Sequence, residues 1–274
     1  MEKMAAMEHE RPEPPLRIGA VTYLNSRPLV VRLFEHLPRA DVTLGAPSEL
    51  ARSLLDGELD VGLIPSIEYA RNPALELVSD ACVACDGPVR SVMLYGRVPP
   101  ERIETLALDA GSRTSAALAQ IILAEQLDLR PELVELPLDA DFQSFPADAI
   151  LVIGDRGLSL PAEKFHFVWD LGERWQQWQG LPFVFALWVA RPEVATRHLT
   201  DALARARDEG VTRLAEIADG ASQPLGVGRA ELLSYLRDSL RFTLGPRERQ
   251  GMQRFFALAE QYGLLTPSVE SAQS

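Results

Sequence analysis

Residues 17–30 read RIGAVTYLNSRPLV. The opening, from Arg17 to Val21, is a short apolar run of the kind that forms a buried strand. The chain then turns polar at Tyr23, Asn25, Ser26 and Arg27 before an apolar helical pattern resumes. Strand, polar turn and helix make the βα unit of an α/β protein. Polar residues at such a junction either cap the helix or face a ligand, and the stretch alone leaves both open.

The same unit recurs. Strand-like DVTLGAP (41–47) precedes helical SELARSLLDGE (48–58), with Ser48 as the expected N-cap, and LDVGLIP (59–65) precedes a short helix, SIEYARN (66–72). VRSVMLYGR (89–97) reads as a strand, ETLALDAG (104–111) leads through a Gly turn into SRTSAALAQIILAEQL (112–127), and DAILVIGDRGL (148–158) adds another buried strand. This alternation predicts mostly parallel sheets flanked by helices. Beyond Pro192 the pattern is helical, over 193–218, 228–240 and 245–265. GRVPPERIE (96–104) and the Gly180-Leu181-Pro182 turn mark places where the chain leaves one αβ lobe and returns to it. The expected division is an N-terminal extension (1–16, disordered), a first lobe of 17–97 plus 184–267, a second lobe of 98–183, and a tail (268–274). Tyr95–Pro99 and Gly180–Pro182 are the hinge candidates.

Composition narrows the function. Of 274 residues 47% are hydrophobic, enough for a full core. Lys plus Arg number 27 against 39 Asp plus Glu, and the resulting net charge of −12 disfavours nucleic-acid binding. No apolar run reaches the ~18 residues that cross a bilayer. The acidic, Pro-ended N-terminus lacks an apolar signal region, so the expected location is the cytoplasm, without membrane association. Cys82 and Cys85 form a lone C-x-x-C; a structural zinc site needs four ligands, and inert packing is the expectation. His9 lies in the N-terminal extension, His36 and His198 have no partner carboxylate at useful spacing, and His166 is open to either a cleft or a structural place; H-E-x-x-H, G-x-S-x-G, P-loop and GxGxxG patterns are absent.

Four strand-to-helix junctions are rich in small polar groups: Tyr23/Asn25/Ser26/Arg27, Pro65/Ser66, Ser112/Arg113/Thr114/Ser115 and Gly154/Asp155/Arg156. Helix N-termini with hydroxyl donors suit a carboxylate. Arg27, Arg90, Arg113 and Arg156 either balance ligand charge or serve as surface ion pairs. From residues alone the chain is a two-lobed binder of a small carboxylated ligand.

Six segments in order, YLNSRPL (23–29), DGELDVGLIPSIEY (56–69), GPVRSVMLY (87–95), GSRTSAALAQ (111–120), IGDRGL (153–158) and GLPFVFALWVARP (180–192), resemble the chorismate dehydratase family of the futalosine route to menaquinone. The likeness runs from about Arg17 to Leu265. It implies a periplasmic-binding-protein type II fold used as an enzyme that removes water from chorismate without metal or organic cofactor, working as a monomer or homodimer. It places Asn25 and Ser91 in catalysis. Ser112, Thr114 and Ser115 fall in a carboxylate-binding turn, and Tyr23, Ser66 and Asp155 stand as further substrate-binding candidates. Glu68 and Asp155 remain open as protein bases, against the substrate's own enolpyruvyl carboxylate. Rival readings are a non-catalytic solute-binding protein, the sister enzyme dihydroxynaphthoate synthase with a histidine base, and a ligand-sensing domain.

Overall fold

The computed structural model describes residues 14–158 and 165–266, so the expected N-terminal extension (all but its last three residues) and the tail lie outside the described part. Arg17–Val21 forms β1 as read, and its chain turns through a 3-10 turn (Leu24–Ser26) into helix α1 (Arg27–Val30). The helical pattern that resumes after the polar turn is not one continuous helix: it breaks at Val31–Arg32 and continues as α2 (Leu33–His36). Then come β2 (Asp41–Gly45), α3 (Pro47–Leu55), β3 (Val61–Pro65), α4 (Ser66–Arg71) and the long β4 (Glu76–Cys85). The chain crosses to β5 (Val92–Gly96), β6 (Thr105–Asp109), α5 (Thr114–Leu127), β7 (Glu132–Leu136), β8 (Ala149–Ile153), α6 (Asp155–Leu158), β9 (Phe167–Asp170) and α7 (Leu171–Gln179). It returns as β10 (Phe183–Ala190) and ends in α8 (Arg197–Val211), α9 (Leu214–Leu225), α10 (Arg229–Ser234), β11 (Leu240–Thr243) and α11 (Pro246–Gln261).

Two sheets result, ordered β11-β4-β10-β3-β1-β2 and β7-β6-β8-β5-β9. They are mixed rather than mostly parallel. β1 pairs parallel with β2 and β3, and β6 with β7 and β8, as βα units require. The strands that carry the chain across and back, β5 and β10, run antiparallel to their neighbours because they enter each sheet from the opposite end. β5 belongs to the second sheet, so the outward crossing is 86–91 and not Tyr95–Pro99. The return crossing is Gly180–Pro182, where Gly180 ends α7 in the left-handed conformation (φ 69°).

Packing holds both crossings. The buried Trp175 ring meets Trp178, Phe183 and Phe255 edge-on, tying α7 to β10 and α11. Its indole N–H donates to the Pro182 carbonyl at 3.2 Å. Burying a side chain of this class stabilises by about 1.5–3 kcal/mol. At the outward crossing the Asp170 carboxylate accepts from Val89 N at 3.0 Å and Arg90 N at 2.6 Å while capping α7 through Glu173 N. Arg90 is thereby held at φ 63°, a left-handed conformation that costs a non-glycine residue about 1–2 kcal/mol.

Cys82 and Cys85 are free, fully buried in β4, and burial pushes both thiols up out of the reactive range, in keeping with a packing role. The helical end expected over 228–240 is interrupted: after α10 the chain makes a π-helical turn (Tyr235–Ser239) and enters β11.

Candidate active site

The C-terminal ends of β1, β3, β6 and β8 converge between the sheets, where helix N-termini of both lobes meet. They line a partly open cleft whose empty space, counting the part open to solvent, is about 480 Å³. Asn25, Ser26, Ser112, Arg113, Thr114 and Ser115 supply the polar wall, and Val21, Leu63, Val83, Val92, Ile153 and Phe185 the apolar one. No Asp, Glu, His, Lys, Cys or Tyr lines this cavity among the described residues. No side chain caps α5, so the N–H groups of its first turn and its positive dipole end face the cavity beside three hydroxyls. That is a seat for an anion.

Four of the expected site residues lie on the wall: Asn25, Ser112, Thr114 and Ser115. The other four stand behind it. Ser66 is wholly buried, its hydroxyl donating to the Val184 carbonyl at 2.7 Å and standing 3.4 Å from Thr114 Oγ1. Thr114 Oγ1 also accepts from Ile67 N at 3.2 Å, joining α5 to the first turn of α4 across the lobes. Asp155 accepts from Leu24 N at 2.8 Å, a second bond between lobes. Burial pushes its carboxyl up against the pull of Leu24 N–H and Arg27. Tyr23 packs on the second lobe's glycine turns, and burial beside Asp109 and Asp155 drives its phenol upward. Tyr23 and Asp155 therefore fix the junction loop rather than form the wall.

Gly111 shows why this contact is close. Its backbone is not left-handed; a Cβ there would stand 2.8 Å from the Tyr23 hydroxyl, so the glycine serves approach, not turning. Ser26 does not cap α1 either. Its hydroxyl bonds back to the Val21 and Tyr23 carbonyls at 2.6 and 2.7 Å and closes the turn that presents Asn25. Ser48 is likewise not the cap of α3, whose N-cap is Ala46; its hydroxyl donates to the Ala110 carbonyl of the other lobe at 2.9 Å.

Ser91 is fully buried and reaches the site through a residue that the sequence reading missed. The Tyr235 hydroxyl donates to Ser91 Oγ at 2.8 Å, and the Asn25 side chain stands close enough to the same phenol to act on it. Residues distant in sequence thus meet on one buried oxygen. Tyr235 sits within the amphipathic LLSYLRDSL pattern, and nothing in its spacing distinguishes it from a core residue.

The remaining candidates separate by their partners. The Glu68 carboxylate is ion-paired with Arg71 at 2.6 Å and Arg113 at 3.4 Å, off the cavity wall. Arg156 donates to the carbonyls of Pro137, Leu138 and Ala140, and Arg90 pairs with Glu231. Of the four arginines considered, Arg113 lines the cavity. His166 and His198 are exposed, and His36 pairs with Glu209.

A family model described as "Menaquinone biosynthesis" matches residues 16–261. The chain belongs to this menaquinone-biosynthesis family. Among its relatives, a chorismate dehydratase of Thermus thermophilus is 34% identical over 273 residues, covering 91% of this chain and 96% of that protein. A chorismate dehydratase of Campylobacter jejuni is 29% identical, over 61% of this chain and 64% of its own. The fold is that of the periplasmic binding proteins. A protein of Archaeoglobus fulgidus superposes with TM-score 0.76 at 17% identity, covering 92% and 99% of the two chains. The periplasmic aliphatic sulphonate binding protein of Escherichia coli does so with TM-score 0.60 at 17% identity, covering 92% and 93%. This member of the family has no helix among its described residues long and apolar enough to cross a membrane.

Proposed function

We propose that this chain is a chorismate dehydratase that works without metal or organic cofactor, converting chorismate to 3-[(1-carboxyvinyl)oxy]benzoate and water. One observation carries the reading: the interlobe cavity is walled by an amide, hydroxyls, an uncapped helix N-terminus and one guanidinium, with no side chain among the described residues of its wall able to act as a base at neutral pH.

Chorismate brings two carboxylates, an enol ether and a leaving hydroxyl on a cyclohexadiene ring. Losing that hydroxyl and the hydrogen on the ether-bearing carbon makes the ring aromatic, so the driving force resides in the substrate. Ser112, Thr114 and Ser115 at the start of α5, with Arg113, hold the ring carboxylate. Asn25 donates to the departing hydroxyl, stabilising the negative charge that develops there. The substrate's enolpyruvyl carboxylate, folded over the ring, takes the proton from the ether-bearing carbon. The C–H electrons form the new ring double bond as the C–O bond breaks, and the released hydroxide accepts the carboxyl proton to leave as water. Lobe closure excludes bulk water, strengthening these donors and holding the folded conformer.

Glu68 and Asp155 are the alternative bases, and their positions off the wall favour the substrate carboxylate. Mixing the protein with chorismate in the presence of a chelator, under ultraviolet and NMR detection, tests the proposal. The expected result is disappearance of the cyclohexadiene and growth of the aromatic enol ether. Chorismate held unchanged would mean a solute-binding protein instead. A cytoplasmic location and a monomeric or homodimeric working form complete the proposal, to be checked by fractionation and by sedimentation.

A further inference from the structure

The Tyr235 phenol lies at the centre of a chain of neutral groups. Its O–H donates to Ser91 Oγ at 2.8 Å, and Ser91 Oγ in turn points to the Val89 carbonyl at 3.5 Å. With the phenol's one proton directed at Ser91, its oxygen is left as an acceptor for the nearby Asn25 amide. The polarity therefore runs Asn25 N–H to Tyr235 O–H to Ser91 O–H to a backbone carbonyl. Each hydrogen bond in such a series strengthens the next.

An asparagine on a cavity wall has two nearly isosteric ends, and a flipped amide would present its carbonyl to a leaving hydroxyl where a donor is needed. With the phenol's proton on Ser91, the flip would also set the amide carbonyl against the lone pairs of the phenol, so this polarity favours the N–H orientation. The backbone around it is fixed to match. Asp170 grips the N–H groups of Val89 and Arg90, and Leu240, the first residue after the π-helical turn, pairs with Cys85 just ahead of the same crossing. A π turn inserts a residue into the helical spiral, redirecting one side chain inward, and such turns recur at functional sites.

We propose that Tyr235 is a positioning residue for the dehydration: with Ser91 as its acceptor, it aligns the Asn25 amide on the substrate and transfers no proton itself. Burial raises the phenol far above neutrality, so it stays protonated throughout. The inference rests on the dehydratase reading given above and deepens it.

Tyr235→Phe keeps the ring and removes the hydroxyl. The expected result is a fall in kcat of about tenfold to a hundredfold with KM nearly unchanged, as for loss of one buried aligning hydrogen bond. The pH profile of kcat should keep its shape. In an Asn25→Ala background the same substitution should add no further loss. Equal losses in both backgrounds, or a rise in KM alone, would overturn the assignment in favour of simple packing. Should Tyr235→Phe fail to fold, Ser91→Ala probes the chain from its other end, with the same expectation in the Asn25→Ala background. NMR of the Asn25 side-chain amide separates this proposal from the dehydratase reading. Its two proton resonances should move and exchange faster in Tyr235→Phe even if wild-type protein leaves chorismate untouched, and unmoved resonances would refute the chain itself.

Discussion

Gly154→Ala is the perturbation that best separates the interlobe contact from ordinary turn chemistry. Gly154 follows β8 with φ 63°, and a Cβ there would lie 2.8, 2.9 and 2.9 Å from three carbons of the Tyr23 ring. The left-handed backbone costs an alanine about 1–2 kcal/mol. Carbon atoms in ordinary contact stand about 3.5–4.0 Å apart, so the ring must withdraw by close to 1 Å. It cannot withdraw freely, because the next residue's N–H is held by Asp155 at 2.8 Å. Overpacking of this kind adds about 1–3 kcal/mol. A combined cost of about 3 kcal/mol corresponds to a Tm roughly 10 °C lower for a chain of this size. Displacing the ring also displaces Asn25, two residues on, so turnover should fall together with Tm. The assay is thermal unfolding beside chorismate turnover, in Gly154→Ala and in Gly154→Ala/Tyr23→Leu. Removing the ring relieves the clash but not the backbone strain, so the double variant should be less destabilised than the sum of the two singles. Strict additivity, or a wild-type Tm in Gly154→Ala, would refute the contact as the reason for the glycine.

Asp155→Asn keeps a carbonyl acceptor for Leu24 N–H while removing a buried charge. The folded carboxyl is raised, so its contribution is favourable below the ordinary carboxylate range and is lost as pH rises through the elevated folded value. The variant should therefore melt higher than wild type at neutral pH, with the gain shrinking on acidification. Its turnover should stay within the wild-type order of magnitude, whereas a collapse would identify Asp155 as the base. Thr114→Val leaves Ile67 N–H buried and unpaired at a cost of about 1–3 kcal/mol, which should appear as lower Tm and weaker chorismate binding in calorimetry. Ser115→Ala removes one hydroxyl from the α5 mouth and should raise KM more than it lowers kcat, a split that steady-state kinetics reads directly.

The βα rhythm was legible because each unit is local: an apolar run, a polar turn and an amphipathic helix occupy adjacent residues. The same locality made Asn25, Ser112, Thr114 and Ser115 readable as wall residues, since a junction at the end of a parallel strand has few directions in which to point. What escaped depends on long-range geometry. The sheets are mixed because β5 and β10 enter from the far end, a fact of pairing and not of pattern. Ser48 and Asp155 read as caps or ligands, yet each spends its side chain on the opposite lobe, 62 and 131 residues away in sequence. Gly111 read as a turn, while its reason is the Tyr23 hydroxyl. Tyr235 was hidden deepest, because a π turn and a phenol bonded to Ser91, 144 residues away, leave no mark on the helical periodicity around them.

Chorismate offered to wild-type protein and to Asn25→Ala, with binding and turnover measured side by side, puts the whole picture at risk in one experiment. Neutral donors acting on a substrate that supplies its own base require wild type to release the aromatic enol ether, and the variant to bind chorismate comparably yet convert it far more slowly. Unchanged chorismate on the wild type, or full turnover in the variant, would contradict it.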